Sequence, residues 1–242
     1  MDGASVIIMS KEFIICGCVS RHFMEKEKVA RIAALLKLKG FEVQVVPDLC
    51  EMAEDQEEAF RALEGKVVIA CHERAVHSLM AWRGLLAPEV LNLRTHTVEE
   101  VATQLGIKPN EVSEELLEEY RRELADFPTK QGHDAWFPII DRERCVSCGK
   151  CHDFCLFGVY TLDEDGNVQV TDPHSCKNNC PACARTCPQE AVIFPKHATA
   201  PINGGEAQEE VNIKIDTKQL YNEALRERLV ARRAGVSLLK KK

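Results

Sequence analysis

Eight of the chain's twelve cysteines fall between residues 145 and 187, in two runs with ligand-like spacing. The first is Cys145-Val-Ser-Cys148-Gly-Lys-Cys151-His-Asp-Phe-Cys155. The second is Cys176-Lys-Asn-Asn-Cys180-Pro-Ala-Cys183-Ala-Arg-Thr-Cys187, followed by Pro188. Three cysteines in one tight loop can each reach a different iron of a single cubane, while a fourth just beyond points to a neighbouring cluster. The spacing therefore assigns Cys145, Cys148, Cys151 and Cys187 to one [4Fe–4S] cluster, and Cys176, Cys180, Cys183 and Cys155 to another. Gly149, Ala182 and Ala184 are small enough to let backbone N–H groups approach the sulfides, a lever on reduction potential. Zinc is the alternative, but its four-thiolate sites are commonly C-x2-C pairs parted by a longer loop.

The other four cysteines lie in the first 71 residues. Cys16 and Cys18 follow a first predicted strand, Cys50 follows a second beyond Pro47, and Cys71 ends a third. In a parallel sheet the carboxyl ends of neighbouring strands open on one crevice, so the four converge there and suggest a third metal centre. A redox disulfide (Cys16 with Cys18, or either with Cys50), a zinc site and plain packing remain alternatives. His72 and His22 are candidates to replace one thiolate.

The elements that must position these residues follow from periodicity. Glu12 to Cys16, Phe41 to Val46, Lys66 to Ala70 and Glu89 to Leu93 read as strands. Glu25 to Lys39, Asp55 to Leu63 and Arg74 to Trp82 read as helices, the first with Val29, Ile32, Ala33 and Leu36 on one face and Gly40 as its stop. Strands alternating with helices predict a parallel sheet with flanking helices over residues 1–96. Residues 97–132 read as an acidic helical linker (Val98 to Leu105, then Glu111 to Leu124), and 133–200 as a two-cluster α+β module. Residues 201–242 read as a loop and a basic helical tail, the loop exposed over 198–210 and the helix spanning 216–234. The acidic run Glu51, Glu54, Asp55, Glu57 and Glu58 suits an exposed helical face.

Composition narrows the functional classes. The 242 residues are 45% hydrophobic and 29% charged, which excludes wholesale disorder, and the net charge of −7 disfavours nucleic acid. The longest apolar run, Phe13 to Val19, is far short of the roughly 20 residues a membrane span needs. With Asp2 in place of a basic segment and Lys11-Glu12 breaking the apolar stretch, no export signal is expected, and a cytoplasmic setting with reduced thiols follows.

The stretch from Ile139 to Phe194 resembles bacterial-type two-[4Fe–4S] ferredoxins. It has a leading strand at Ile139-Ile140, a hairpin from Val159 to Val170 turning at Asp165-Gly166, and a closing strand from Ala191 to Phe194. It departs in Leu156, where the family usually has proline, and in the C-x3-C opening of the second run. The segments Cys16-Gly-Cys18, Pro47-Asp48-Leu49-Cys50 and Val67 to Arg74, extended by Asn92-Leu93-Arg94, resemble the N-terminal domain of the flavin-bearing subunit of heterodisulfide reductase. That resemblance implies a [4Fe–4S] cluster on Cys16, Cys18, Cys50 and Cys71 and an anaerobic oxidoreductase complex as the setting. The family's flavin domain and any G-x-G-x-x-G are missing, so no flavin or NAD site is expected. The expectation is an electron-transfer subunit rather than an autonomous enzyme, in a hetero-oligomer, between a flavoprotein and a catalytic subunit. The rivals are a catalytic N-terminal cluster and a cluster-based redox sensor acting through the basic tail.

Overall fold

The computed structural model describes residues 12–109, 112–128 and 134–206. Strand β1 (Glu12–Cys16) carries Phe13, Ile14 and Ile15 in succession, all buried. Such an unbroken apolar run suits a strand covered on both faces. It lies inside a four-stranded sheet of order β2-β1-β3-β4, with β2 at Glu42–Val46, β3 at Val67–Ala70 and β4 at Val90–Asn92. Every pairing is parallel, Phe13 standing opposite both Val43 and Val67, and Ile69 opposite Leu91. The expected parallel sheet is therefore present, and its carboxyl edge gathers the ends of β1, β2 and β3.

Helix α1 (Lys26–Leu38) buries Val29, Ile32, Ala33 and Leu36 along one stripe. It ends where Gly40 takes φ +85° and the N–H of Phe41 reaches back to the carbonyl of Leu36, a glycine C-cap. The helix expected over 55–63 forms instead as two short ones, α2 (Leu49–Asp55) and α3 (Glu57–Arg61). The side chain of Asp48 accepts from the N–H groups of Cys50 and Glu51 and so starts α2 six residues early, while Gln56 breaks the helix at φ −129°. This register turns Glu54 inward. It is 8% exposed, against the expectation of a solvated acidic face, and its carboxylate lies 3.4 Å from His174 Nδ1.

Helix α4 (Glu73–Trp82) covers the sheet, and α5 (Val98–Gln104) opens with a reciprocal capping box between Thr97 and Glu100. Helix α6 (Glu114–Asp126) packs on α1 through Leu117, Tyr120 and Leu124, which share the buried cluster of the sheet. Residues 97–126 thus brace the sheet as well as connecting it onward. Glu111 lies outside the described residues, as does the tail expected to be helical over 216–234.

The cysteine-rich part pairs β5 (Ile139–Ile140) with β8 (Val192–Ile193) and β6 (Tyr160–Leu162) with β7 (Val168–Val170), both antiparallel. The hairpin, the leading strand and the closing strand all fall where the sequence puts them. Helices α7 (Lys150–Phe154) and α8 (Ala182–Thr186) pack on each other beside a second buried cluster that includes Val159, Val168 and Phe194. Ile139 and Ile193 join the core of the parallel sheet, and Trp82 Nε1 donates to the carbonyl of Val170 at 3.0 Å. Arg74 and Asp141 close the same seam as a largely buried ion pair at 2.9 Å.

The segment after β8 corrects the expectation of an exposed loop. Asn203 is 3% exposed, and Gly204 and Gly205 pack so tightly on α4 that a Cβ at Gly204 would lie 2.8 Å from the Ala75 Cβ. Arg94 donates to the carbonyls of Pro195 and His197 and holds the segment down. Among the described residues no helix is long and apolar enough to cross a membrane.

Candidate metal centres

The two cysteine runs have one local design. In each, the residue before the second cysteine adopts a left-handed backbone, Ser147 at φ 49° and Asn179 at φ 60°. The third cysteine, Cys151 or Cys183, then lies in a five-residue helix. The fourth caps that helix with the chain already extended, Cys155 at ψ 115° and Cys187 at ψ 115°. The packing of α7 on α8 sets each fourth cysteine beside the other run's loop.

Cys155 accordingly lines one cavity of about 470 Å³ with Cys176, Cys180 and Cys183, walled by Phe154, Leu156, Phe157 and Tyr160. The Tyr160 hydroxyl donates to Cys183 Sγ at 3.1 Å. Burial pushes the Cys176 and Cys183 thiols up to about 12, and neighbouring cysteines add to the rise. On the other side, burial pushes Cys151 up to about 11, against a hydrogen bond from the His152 N–H and with the charges of Cys187 and Cys145 adding. The Ala191 N–H donates to Cys187 Sγ at 3.3 Å. Cys148 stays exposed in the same loop.

The extra residue of the second run has a partner. Arg21 Nη2 donates to the side-chain oxygens of Asn178 (3.0 Å) and Asn179 (2.7 Å), pairs with Asp134 at 2.9 Å, and its guanidinium lies over the Trp136 ring. Arg21 belongs to the loop that carries Cys16 and Cys18, so the longer opening is gripped by the other cysteine set.

The four N-terminal cysteines line a single narrow cavity of about 30 Å³ at the carboxyl edge of the sheet. Gly17 allows this. A Cβ there would lie 3.2 Å from the Pro47 carbonyl oxygen, and the Gly17 and Val19 N–H groups bond the carbonyls of Val46 and Pro47. Cys18 turns at φ 47°, Cys50 sits in the first turn of α2, and Cys71 follows β3 directly. The Leu49 N–H donates to Cys16 Sγ at 3.5 Å. Burial raises all four thiols, Cys16 and Cys50 well above the usual range and Cys71 to about 11. Four thiols so close, two buried and two half-buried, cannot ionise together without compensating positive charge, which is the environment a metal-bound thiolate set requires.

Neither candidate histidine lines this cavity. His72 meets the Asn92 side chain through Nδ1 at 3.2 Å, and burial lowers it to about 4. His22 turns at φ 54°, its N–H bonded to the Cys18 carbonyl. Three polar residues also line it: Asp48 and Arg94, which lie in the segments that carry the N-terminal resemblance, and Lys196, which sequence reasoning did not single out. Lys196 is 3% exposed, and its Nζ donates to the Asp48 carboxylate and to the Ser20 hydroxyl. Burial lowers the ammonium, yet the facing charges of Cys50 and Asp48 hold it above its ordinary value.

Tetrahedral zinc at about 2.3 Å from each thiolate would bring the sulfurs to about 3.8 Å from one another. Among the described residues no three cysteine sulfurs lie within 4.8 Å of one another; the one triad that meets this spacing is Glu54, Asp55 and His174.

No family model matches the chain. An uncharacterized ferredoxin of Methanocaldococcus jannaschii is 41% identical over 85 residues, which are 35% of this chain and 52% of that protein, so the chain spans about half of that relative. The pyruvate synthase subunit PorD of the same organism is 42% identical over 55 residues, 23% of this chain and 62% of that subunit. A further uncharacterized ferredoxin from this archaeon is 42% identical over 58 residues, 23% of this chain and 74% of the relative. These relatives and the twelve cysteines support iron–sulfur clusters and a role in electron transfer. With nearly three quarters of a ferredoxin matched at that identity, the chain belongs to the ferredoxin family.

Proposed function

We propose that the chain is an electron-transfer subunit with three [4Fe–4S] clusters. Cys145, Cys148, Cys151 and Cys187 would hold the first, Cys155, Cys176, Cys180 and Cys183 the second, and Cys16, Cys18, Cys50 and Cys71 the third. The observation that carries this reading is the grouping of the cysteines. The second and third sets each line one cavity, and the remaining four come from one loop and the capping cysteine Cys187 that faces it. Bound clusters of this type supply one-electron transfer at potentials that depend on charge, burial and hydrogen bonds to sulfur.

The chain's own residues supply those levers. The Tyr160 hydroxyl and the Ala191 and Leu49 N–H groups donate to ligand sulfurs. Phe154, Leu156 and Phe157 wall the second site, and Leu156 is 90% exposed, an apolar rim beside a redox centre. The likeness of the N-terminal segments to the flavin-bearing component of heterodisulfide reductase supports an anaerobic complex of that kind, in which this chain connects a flavoprotein with a catalytic subunit. The similarity to PorD, part of a pyruvate synthase, supports the broader idea of a multi-subunit redox assembly.

The test is iron and acid-labile sulfide per chain after anaerobic purification, with EPR of the reduced protein. About 12 of each is expected for three cubanes. About 8 of each would remove the N-terminal centre and keep the other two, and stoichiometric zinc would overturn the reading altogether.

A further inference from the structure

We propose that Lys196 is a fixed charge partner of the N-terminal four-cysteine centre and holds its reduction potential up; this rests on reading Cys16, Cys18, Cys50 and Cys71 as cluster ligands. Lys196 follows β8, so it comes from the cysteine-rich part of the chain, yet it forms a wall of the cavity at the carboxyl edge of the parallel sheet. At 3% exposure it is a position where lysine is seldom found without a charged partner.

Asp48 is the obvious partner but does not account for it. That carboxylate already accepts from the N–H groups of Cys50 (3.1 Å) and Glu51 (3.4 Å) and from the Ser20 hydroxyl (2.8 Å). A carboxylate served by three donors can be buried without a lysine. What remains uncompensated in the same cavity is the set of four sulfurs. Arg94 is the second cation on that wall, its guanidinium clamped by the carbonyls of Pro195, His197 and Ala198 and placed over the Phe23 ring at 4.0 Å. The segment that delivers Lys196 is thus pinned by the other cation of the cavity.

The physical consequence has a definite sign. Adding one electron adds one negative charge to the ligated group, and a fixed ammonium beside it in a low-dielectric pocket favours the reduced state. Asp48 acts in the opposite sense. Removing the lysine charge lowers the potential, and removing the carboxylate charge raises it.

The experiment is a dithionite titration of the anaerobically reconstituted full chain, followed by EPR, on the wild type and on Lys196→Met, Lys196→Arg and Asp48→Asn. Cys71→Ser identifies which signal belongs to the N-terminal centre. Lys196→Met is expected to shift that midpoint down by at least tenfold in the one-electron equilibrium, about 59 mV. The two cysteine-rich centres stay in place, Lys196→Arg stays near the wild type, and Asp48→Asn moves the same midpoint up. Three centres in the wild type with an unmoved N-terminal midpoint in Lys196→Met would overturn this proposal alone, as would a common shift of all three. Only two centres in the wild type would overturn the ligand reading and this proposal with it. Should Lys196→Met lose the third centre, Asp48→Asn decides: an upward shift upholds the proposal and an unchanged midpoint overturns it.

Discussion

Arg21→Met should loosen the second cysteine loop selectively. The guanidinium makes two hydrogen bonds to the Asn178 and Asn179 side chains, an ion pair with Asp134 and a ring contact with Trp136. Hydrogen bonds from a charged donor are worth about 1.5–3 kcal/mol each. The ion pair, at 22% and 28% exposure, adds at most about 1 kcal/mol. The cation–π contact adds about 0.5–1 kcal/mol. One guanidinium group makes all of them and the asparagines can rehydrate, so the sum is an overcount and a net loss of about 2 kcal/mol is expected. That corresponds to about a 30-fold rise in the opening equilibrium of the loop. The assay is native-state hydrogen exchange on the peptide spanning 176–181, where the Cys180 N–H bonds the Lys177 carbonyl at 3.1 Å. Exchange there should quicken about 30-fold while the peptide spanning 145–150 keeps its wild-type rate. Unchanged exchange at 176–181, or equal acceleration in both loops, would refute the idea that Arg21 secures the extra residue.

Other outcomes follow from single contacts. Tyr160→Phe removes the hydroxyl that donates to Cys183 Sγ and should lower the potential of that centre by on the order of 50 mV, leaving the other centres unmoved in the same titration. Ile14→Ala empties a fully buried position on the central strand and should cost about 3–4 kcal/mol in chemical denaturation; a loss under about 1 kcal/mol would contradict the placement of β1 at the middle of the core. Burial holds His197 below its ordinary 6.5, so the unfolded chain binds more protons than the folded one just below that pH. Stability should therefore fall as pH drops from about 6.5 towards the folded-state value, and His197→Asn should flatten that slope in a pH series of unfolding midpoints.

The parallel sheet and the cysteine hairpin were legible in the sequence because their signals are local. Unbroken apolar runs such as Phe13-Ile14-Ile15 mark buried strands, and the periodic stripe of α1 with Gly40 after it marks a helix and its end. The convergence of Cys16, Cys18, Cys50 and Cys71 followed from topology alone, since parallel strands must share an edge. What escaped was set by contacts between distant residues. The early start of α2 depends on the Asp48 cap, which competes with the helix-forming acidic run and turns Glu54 towards His174. The burial of Asn203 and Gly204 depends on α4, more than a hundred residues away, and their Gly- and Pro-rich surroundings carry the composition of a solvated loop. Lys196 gave no signal at all, because a lone lysine after a strand reads as surface until the opposite part of the chain closes over it.

The way Lys196 and its neighbours close the N-terminal cavity sets an order on biosynthesis. Cys16, Cys18, Cys50 and Cys71 leave the ribosome early, but the wall supplied by Pro195 and Lys196 is translated last among the described elements of the site. At about 5–20 residues per second, all four thiols face the cell without that wall for roughly 6–25 seconds. If the four are cluster ligands as proposed, a nascent chain offers them to iron and sulfide while the pocket still lies open, and synthesis of residues 195 and 196 shuts it behind them. A premature stop anywhere before residue 195 would leave the early half with its thiols made and no means of sealing them.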